Sequence, residues 1–365
     1  MDSDRLATVV SRFKLTNTIN DIREFGSGNI NDTFLVTLND HSRVILQRIN
    51  SRVFHSPQLI MDNLRIVTEH IKARLTQETV HRRWEIPCIV STLDGTDWYK
   101  DNEGSFWRII SFIDQTKSVQ VIKNVAHARE AGYALGRFQR LVSDLDASKL
   151  FDPLHDFHIT PRYLAHYDEV LRQRYPKTSS ADIRYCLRLI QQERTSVYML
   201  EEAKQKNILR IRPIHGDPKL ANILFDTSSD QAVSIIDLDT VKPGLIQYDV
   251  GDALRSCCNL AGEETNNFNE VNFNIDICRL FLEGYFSEAK IFLTDKDYEY
   301  IYDSVRIISF ELGLRFFTDF LEGNRYFRVR NGEQNLIKSI IQFKLSESIE
   351  ANKPSIIKMI AEMRA

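Results

Sequence analysis

Long apolar runs are missing from this sequence. No stretch approaches the roughly 18 consecutive apolar residues of a membrane-spanning helix. The first residues, 1–5, carry acidic side chains, and the N-terminus lacks the long apolar segment of an export signal. Neither export nor membrane insertion is therefore predicted, and we expect a cytoplasmic protein without a membrane partner.

Cysteine and net charge are also low. The five cysteines contain no C-x-x-C pair and are odd in number, so neither a zinc site nor a secreted disulfide framework is indicated. Lys and Arg total 47 against 50 Asp and Glu, and this net charge of −3 gives no electrostatic reason to bind nucleic acid. The remaining composition, 43% hydrophobic over 365 residues, suits a protein with two lobes around a cleft.

The most informative segment is 215–222, which reads His-Gly-Asp-Pro-Lys-Leu-Ala-Asn. An Asp followed five positions later by Asn has the spacing of the kinase catalytic loop. In that loop the carboxylate orients an attacking hydroxyl and accepts its proton, so Asp217 is the candidate catalytic residue and an acceptor contact. Lys219 could offset the charge that develops on the transferred phosphoryl group, although a solvated loop lysine is the alternative interpretation.

A second acid, Asp237, ends an apolar run fifteen residues after Asn222. The short apolar segments 223–225 and 233–236 flank a polar turn, which predicts a hairpin that returns Asp237 beside Asn222. Mg²⁺ prefers carboxylate and carbonyl oxygens, with water and phosphate in the remaining positions. Singly, these residues would be ordinary turn and strand-end residues. In this order and spacing, Asn222 and Asp237 are predicted to hold Mg²⁺ in a phosphotransferase.

A glycine-containing turn lies ahead of these motifs. Gly26, Ser27 and Gly28 are candidate nucleotide-binding residues because glycine lets backbone amides approach phosphate closely, although a plain hairpin turn is the alternative. Gln47 stands on a predicted strand where protein kinases carry a phosphate-binding Lys. Arg48 would point to the opposite face unless the register shifts by one residue. We therefore expect Gln47, rather than Arg48, to meet the bound ATP.

The pattern of predicted elements changes near residue 115. Before it, β-branched and aromatic runs at 33–36, 43–46, 88–90 and 106–113 predict an antiparallel sheet, with one helix over 56–75. After it, apolar residues at helical spacing predict helices over 125–142, 161–175, 180–206, 274–288, 295–320 and 336–363. The expected fold is α+β and two-lobed, with a β-rich nucleotide-binding lobe over 1–115 and a mainly helical catalytic and substrate-binding lobe over 116–365.

With these motifs in place, the chain resembles the aminoglycoside phosphotransferase and choline kinase superfamily over nearly its whole length. It is most similar to the bacterial N-acetylhexosamine 1-kinases. The similarity is carried by the segments 26–31, 45–50, 107–108, 217–224, 236–240, 313–316 and 326–327. The resemblance implies a protein-kinase-like fold and the phosphorylation, by ATP with Mg²⁺, of the anomeric hydroxyl of N-acetylglucosamine or N-acetylgalactosamine.

The resemblance also implies acceptor contacts at Arg315 and Tyr326, which match sugar-contacting positions in the N-acetylhexosamine 1-kinases. Arg offers a rigid fork of donors, and Tyr offers a flat apolar face with a polar tip. The structural alternative is a helix Arg paired with an acid such as Glu311 or Asp319. Asn29 replaces a His of those enzymes near the sugar, which keeps hydrogen bonding but removes a titratable group.

Other polar residues have secondary interpretations. Asp249 and Asp252 are expected to anchor the helical lobe as hydrogen-bond acceptors, and Asp239 either orients metal-bound water or substrate or sits exposed. His155 and His158 are followed by no further ligand at metal-binding spacing, so their segment is interpreted as the entry to a helix.

The predicted function is thus an ATP- and Mg²⁺-dependent kinase of an amino sugar. One alternative is a kinase of another small hydroxyl acceptor, such as a different sugar, choline or ethanolamine, homoserine or an aminoglycoside. Another is a non-catalytic nucleotide-binding regulatory module, which is suggested by the missing strand Lys. The sequence leaves the oligomeric state open.

Overall fold

A computed structural model describes residues 3–26, 30–78, 82–174, 176 and 180–364. The strands are β1 (Ile19–Glu24), β2 (Asp32–Leu38), β3 (Arg43–Ile49), β4 (Ile89–Val90), β5 (Tyr99–Lys100), β6 (Phe106–Ser111), β7 (Thr116–Lys117), β8 (Ile211–Ile214), β9 (Ile223–Asp226), β10 (Ala232–Ile235) and β11 (Lys242–Leu245). The helices are α1 (Ser3–Val10), α2 (Pro57–Gln77), α3 (Val125–Val142), α4 (Thr160–Gln173), α5 (Ala181–Glu193), α6 (Met199–Gln205), α7 (Ile246–Cys258), α8 (Ile275–Ala289), α9 (Asp295–Glu299), α10 (Ile301–Glu322), α11 (Gln334–Ala351) and α12 (Lys353–Arg364).

The first sheet is antiparallel, in the order β1-β2-β3-β6-β4, with β5 also paired to β6. Side chains alternate across its faces because successive residues of a strand point to opposite sides. On one face, α1 covers Phe34, Leu46 and Trp107. On the other face, Gln47 and Arg108 are directly opposite each other in the β3–β6 register. The predicted antiparallel sheet with one inserted helix, α2, is confirmed, while α1 was not predicted.

Helices dominate the chain after β7, and two of them cross unusually closely. A Cβ on Gly284 of α8 would lie 1.9 Å from the carbonyl oxygen of Arg129 in α3, and one on Gly132 would lie 1.8 Å from that of Phe281. Real Cβ atoms do not approach backbone this closely, so only glycine permits the α3–α8 contact. No helix in the described ranges is both long and apolar enough to cross a membrane.

Three predicted helices are interrupted. The helix expected over 180–206 breaks into α5, a short 3₁₀ turn and α6, where the Ser196 hydroxyl donates to the Glu193 carbonyl 2.8 Å away. Such local side-chain hydrogen bonds compete with helical ones. The helix expected over 336–363 breaks at Asn352, because Pro354 lacks an N–H and its ring clashes with the preceding turn. The helix expected over 295–320 likewise divides into α9 and α10.

The sequence did not predict α7, which is buried along almost its whole length. Its polar residues Asp249, Asp252 and Arg255 bond to other protein groups instead of facing water. The usual contrast between an apolar and a polar face is therefore absent. We propose that the boundary between the two lobes lies at residues 115 and 116, after the end of β6 and at the start of β7, which pairs with β9 in a second sheet.

Candidate active site

The loop 215–222 is held at its start by α7. The backbone N–H groups of His215 and Gly216 donate to Asp249, at 2.9 and 2.8 Å. Burial raises the pKa of Asp249 to about 6, although these bonds oppose the shift. Gly216 has φ +86°, and a Cβ there would lie 2.6 Å from the carbonyl oxygen of Thr240, so the turn requires glycine. Asp249 is thus an anchoring acceptor, as predicted.

Asp217 follows this turn and is partly open to solvent. Its Oδ2 accepts from Lys219 Nζ at 2.5 Å and from Asn222 Nδ2 at 3.2 Å. Burial disfavours its charge, but the positive charge of Lys219 outweighs this effect and lowers the pKa of Asp217. Among the described residues, no hydrogen bond reaches Oδ1. A charged carboxylate oxygen is therefore available to accept a hydrogen bond from an incoming hydroxyl.

The predicted hairpin brings Asp237 back to Asn222. Ile223 and Ile235 are paired in the β9–β10 register, and the N–H of Ile236 donates to the Asn222 carbonyl at 2.8 Å. Asp237 has φ +67°, a left-handed conformation that costs free energy in a non-glycine residue and is common at functional sites. Asp237 is exposed at the surface, but the protein around its carboxylate removes part of its hydration. This loss of hydration raises the pKa of Asp237 to about 6, and the nearby charge of Asp239 contributes to the shift.

The oxygen donors of this corner suit a divalent cation. Asn222 uses its amide nitrogen to hold Asp217, which leaves its amide oxygen available. No hydrogen bond or ion pair within the described part of the chain uses the Asp237 carboxylate. Among the residues that the structure describes, no three or more His, Cys, Asp or Glu side chains form a cluster with metal-binding geometry. Two oxygen ligands with the remaining positions left to phosphate and water match the preference of Mg²⁺.

A buried arginine connects the first sheet to the catalytic region. Arg108, only 2% exposed, donates to the amide oxygen of Gln47 from Nε at 2.9 Å and from NH2 at 2.7 Å. The same NH2 lies 2.5 Å from Oδ1 of Asp239, whose Oδ2 accepts from Asn31 Nδ2 at 2.7 Å. Asp239 is buried, so the interpretation of an exposed acid is wrong. The amide oxygen of Gln47 accepts from Arg108. The contact between Gln47 and the nucleotide stays a prediction.

The glycine turn joins β1 to β2 beside this connection. Gly26 has φ +77°, and the N–H of Phe25 donates to the Thr33 carbonyl at 2.9 Å across the base of the turn. Ser27, Gly28 and Asn29 lie outside the described residues, so their predicted contacts remain predictions. Asn31, just after the turn, accepts from the Asn50 N–H at 3.0 Å as well as donating to Asp239.

Arg315 lies in a cage of aromatic rings on the helical side of the site. Its guanidinium carbon is 5.0–5.8 Å from the ring centroids of Phe157, Tyr163, Tyr326 and Phe327. Within the described ranges it has no hydrogen-bonded or ionic partner. Burial disfavours the charged form of Arg315. The nearby acidic groups, Tyr163 first and Asp217 among them, outweigh burial and raise the pKa of Arg315, so the guanidinium stays cationic.

The two acids proposed as structural partners of Arg315 are engaged elsewhere. Glu311 accepts from Thr160 Oγ1 at 2.7 Å and faces His158. Asp319 accepts three backbone N–H groups of the turn 325–327, at 2.7–3.0 Å. This turn presents Tyr326, which is 44% exposed, beside Arg315. The alternative of a helix salt bridge for Arg315 is therefore wrong.

The profile of the phosphotransferase enzyme family matches residues 21–274, well over half of the chain. The chain belongs to this phosphotransferase family. The matched region contains the glycine turn, Gln47, the loop 215–222 and Asp237. Arg315 and Tyr326 lie beyond it, in the part where the acceptor contacts were expected.

Solved structures with similar folds support the same assignment of the phosphotransferase fold. The microcompartment-associated aminopropanol kinase has a TM-score of 0.65 and 15% identity, over 97% of this chain and 98% of that one. Choline kinase from Cryptosporidium parvum Iowa II has a TM-score of 0.62 and 13% identity over 97% and 98%. Amicoumacin kinase in complex with AMP-PNP and Ca²⁺ has a TM-score of 0.54 and 13% identity over 100% and 94%. The predicted protein-kinase-like fold is confirmed.

Sequence reasoning missed several residues of this phosphotransferase site. Arg108 had a detectable signal, because a charged residue interrupts the apolar run of β6. Phe157 and Tyr163 had none, because aromatic residues before and within a helix usually serve packing. His158 was assigned only to a helix entry, whereas it is buried between Glu311 and the catalytic loop.

Proposed function

We propose that this phosphotransferase is an ATP- and Mg²⁺-dependent small-molecule kinase that phosphorylates the anomeric hydroxyl of an N-acetylhexosamine. The observation that carries the kinase activity is the arrangement of Asp217, Asn222 and Asp237. A charged carboxylate with an available oxygen lies beside two further oxygen donors that no described protein group uses. This is the set of groups that phosphoryl transfer to a hydroxyl requires.

In this mechanism, the acceptor hydroxyl donates to Oδ1 of Asp217, which fixes the direction of attack and receives the proton as transfer proceeds. The lowered pKa of Asp217 keeps it ionised before the reaction. It is thus mainly an orienting group and a late proton acceptor. Lys219, bound to Oδ2, keeps the carboxylate oriented and provides a positive charge near the phosphoryl group.

Nucleotide and metal would bind opposite the acceptor. Asn222 and Asp237 are the proposed Mg²⁺ ligands, and the bound cation would neutralise charge on the β- and γ-phosphates. The turn containing Gly26, Ser27 and Gly28 would provide backbone amides to the phosphates. Gln47 remains the proposed nucleotide contact on β3. AMP-PNP and Ca²⁺ in the amicoumacin kinase complex support nucleotide and divalent cation use by this fold.

The acceptor is proposed from Arg315 and its aromatic cage. A guanidinium without a protein partner can donate two hydrogen bonds to an acetamido carbonyl or to ring hydroxyls. Tyr326 offers an exposed aromatic face on which a sugar ring can pack. Asn29 is the proposed third acceptor contact. The sequence resemblance to N-acetylhexosamine 1-kinases selects the amino sugar from among these polar acceptors.

Amino alcohols are a second acceptor class, since an aminopropanol kinase and a choline kinase share the fold. Aromatic cages often bind a ligand ammonium through cation–π contacts. In this chain, however, the cage already holds the cation of Arg315, and its charge would repel a cationic ligand. Neutral hydroxyl compounds are therefore favoured over choline or ethanolamine.

The test is ADP release from Mg²⁺-ATP with N-acetylglucosamine, N-acetylgalactosamine, unmodified hexoses, choline, homoserine and aminoglycosides. We expect turnover with the N-acetylhexosamines. Asp217→Asn should lower kcat by about 10²–10⁴-fold, the usual contribution of general acid–base catalysis, and leave ATP affinity largely unchanged. Asp94→Asn, at an exposed turn position, is the matched control and should retain full activity.

The outcomes separate the alternatives. Turnover confined to other acceptors would keep the kinase and exclude the amino sugar. ATP binding without turnover on any acceptor would favour the regulatory module. An Asp217→Asn variant with wild-type kcat would exclude Asp217 as the orienting group.

A further inference from the structure

His158 lies buried between the catalytic loop and α10. Its Nε2 is 2.6 Å from the carbonyl oxygen of Gly216, and its Nδ1 is 3.0 Å from Oε1 of Glu311. A backbone carbonyl and a carboxylate can only accept hydrogen bonds. Both ring nitrogens must therefore carry protons to satisfy both contacts, which makes the side chain an imidazolium.

The surroundings favour this charged form. Burial alone would lower the pKa of His158, but the charge of Glu311 and the bond to it outweigh burial and raise the pKa, with help from Asp252. From α7, His158 also faces Asp249 and the ring of Tyr248, whose centroid is 5.5 Å away. Thus α7 and α10 both direct acidic side chains towards His158.

The Gly216 residue contacted by His158 immediately precedes Asp217. Its N–H donates to the Asp249 carboxylate, and its carbonyl lies against the His158 ring. The Asp249 carboxylate thus holds the Gly216 N–H, and the His158 imidazolium holds the Gly216 carbonyl. This arrangement fixes the direction in which the chain enters Asp217. Glu311, the counter-ion, lies one helical turn before Arg315 on α10, so the helix that carries the proposed acceptor contact also reaches the loop 215–222 through His158.

We propose that His158, as an imidazolium paired with Glu311, is a positioning residue that holds the Gly216 carbonyl and thereby aims the Asp217 carboxylate at the acceptor. The kinetic part of this inference rests on the proposed kinase function. The pair connects α10 to the catalytic loop, so the proposed acceptor helix and the orienting carboxylate keep a fixed geometry. A neutral imidazole could donate to only one of its two partners. The connection is therefore complete below the raised pKa of His158 and is lost as the pH rises through it.

The first experiment does not depend on catalysis. We would record ¹⁵N spectra of histidine-labelled protein across pH and assign His158 with the His158→Gln variant. Both ring nitrogens should carry protons at neutral pH, and deprotonation should occur at higher pH than for an ordinary histidine. In Glu311→Gln the loss of the counter-ion should shift deprotonation to lower pH. A neutral His158 at pH 7 would overturn the inference.

Hydrogen exchange then tests the contact with the catalytic loop. In His158→Gln, the amides of 215–222 should exchange at least about tenfold faster, because Gln retains one donor but lacks the charge. His155→Asn is the matched control, since His155 is three residues away and its side chain is 92% exposed. Unchanged exchange of this loop in His158→Gln, with a folded spectrum, would also overturn the inference.

Kinetics on an accepted acceptor complete the test. His158→Gln should lower kcat by about 10²-fold, the expected cost of slight misalignment, while KM for ATP stays near its wild-type value. Glu311→Gln should shift the alkaline limb of the kcat profile to lower pH, which a purely structural role would not do. Wild-type kcat in His158→Gln would contradict the positioning role. If the wild-type protein phosphorylates no acceptor, the function proposal fails, and the NMR and exchange results still decide the His158 inference.

Discussion

The pKa values of two carboxylates of the site are shifted in opposite directions because their surroundings differ. Lys219 holds Oδ2 of Asp217 and lowers its pKa, whereas loss of hydration, followed by the charge of Asp239, raises the pKa of Asp237. Environments that shift two acids in opposite directions are a recurrent way to divide catalytic tasks. This difference favours an ionised Asp217 as the orienting group. It also makes the binding of a cation at Asp237 stabilising.

Magnesium binding should therefore depend on pH. With a pKa of about 6 before the cation binds, Asp237 is increasingly protonated below that pH, and a proton must leave before Mg²⁺ can bind. We expect the apparent Kd for Mg²⁺ to rise by up to about tenfold per pH unit below pH 6, and to change little above pH 7. Titration of Mg²⁺ by calorimetry from pH 5 to 8 would measure this. Asp237→Asn should bind Mg²⁺ weakly without this dependence, and a constant wild-type Kd would contradict Asp237 as a ligand.

At Arg315 we expect a change in acceptor recognition alone. Arg315→Lys keeps the positive charge but loses the planar fork of donors, so KM for the acceptor should rise by about tenfold to a hundredfold. KM for ATP should be unchanged. Arg328→Lys, at an exposed position close to the same turn, serves as the control. An equal rise in both KM values for Arg315→Lys would indicate structural damage instead of a lost contact.

The sequence could predict that Asp217, Asn222 and Asp237, the proposed catalytic and metal-binding residues, lie close together, because their arrangement depends on local spacing. Asp217 and Asn222 lie on one loop, and a short hairpin brings back Asp237. Arg108 and His158 act through partners more than 100 residues away, at Asp239 and Glu311. The charge within the apolar run of β6 distinguishes Arg108, but no local pattern encodes the partner of either residue, so the sequence could not assign the pairs.

At the scale of elements, hydrophobic periodicity predicted amphipathic helices but not α7. A helix that is buried on all sides shows no apolar stripe, so Asp249 and Asp252 could be assigned as anchoring acceptors while the helix that carries them was not predicted. At the interruption between α5 and α6 the Ser196 hydroxyl bonds to the carbonyl and the carboxylate of Glu193, a local competition that propensities over a window do not detect.

The α3–α8 crossing gives a prediction at this scale. Gly284→Ala would place a methyl group 1.9 Å from the Arg129 carbonyl, so the helices must separate. We expect a loss of about 1–3 kcal/mol in the free energy of unfolding, or more, which urea denaturation would measure. Gly332→Ala is the matched control, because no atom lies within 4 Å of the added Cβ. Equal stability of the two variants would mean that the helices do not cross as closely as described.

At the scale of the whole molecule, one buried carboxylate joins the first sheet to the catalytic region. Asp239 accepts from both Arg108 on β6 and Asn31 beside β2. Removing it would leave the Arg108 guanidinium buried without its counter-charge. This contact links Asn31, just after the glycine turn, to Asp239, two residues after the proposed metal ligand Asp237.

Asp239→Ala should therefore be far more damaging than removal of an exposed ion-pair partner. We expect a loss of about 3–5 kcal/mol in unfolding free energy, together with a higher KM for ATP. The control is Asp32→Ala, which breaks the Asp32–Arg48 pair, whose side chains are 37% and 34% exposed; its cost should be at most about 1 kcal/mol. Chemical denaturation compares the two, and similar losses would contradict a special role for the buried pair.

The placement of Trp107 beneath α1 has a spectroscopic consequence. The chain has three tryptophans, and the other two, Trp84 and Trp98, also precede β7. Trp98 stacks on Phe106 of β6 at 4.5 Å, and Trp84 meets Tyr133 of α3 edge-on at 6.2 Å. Intrinsic tryptophan fluorescence therefore arises from the first sheet and its junction with α3, whereas the helices from α4 onward contribute only tyrosine emission. A fluorescence change on adding nucleotide would report on that sheet directly, without an introduced label.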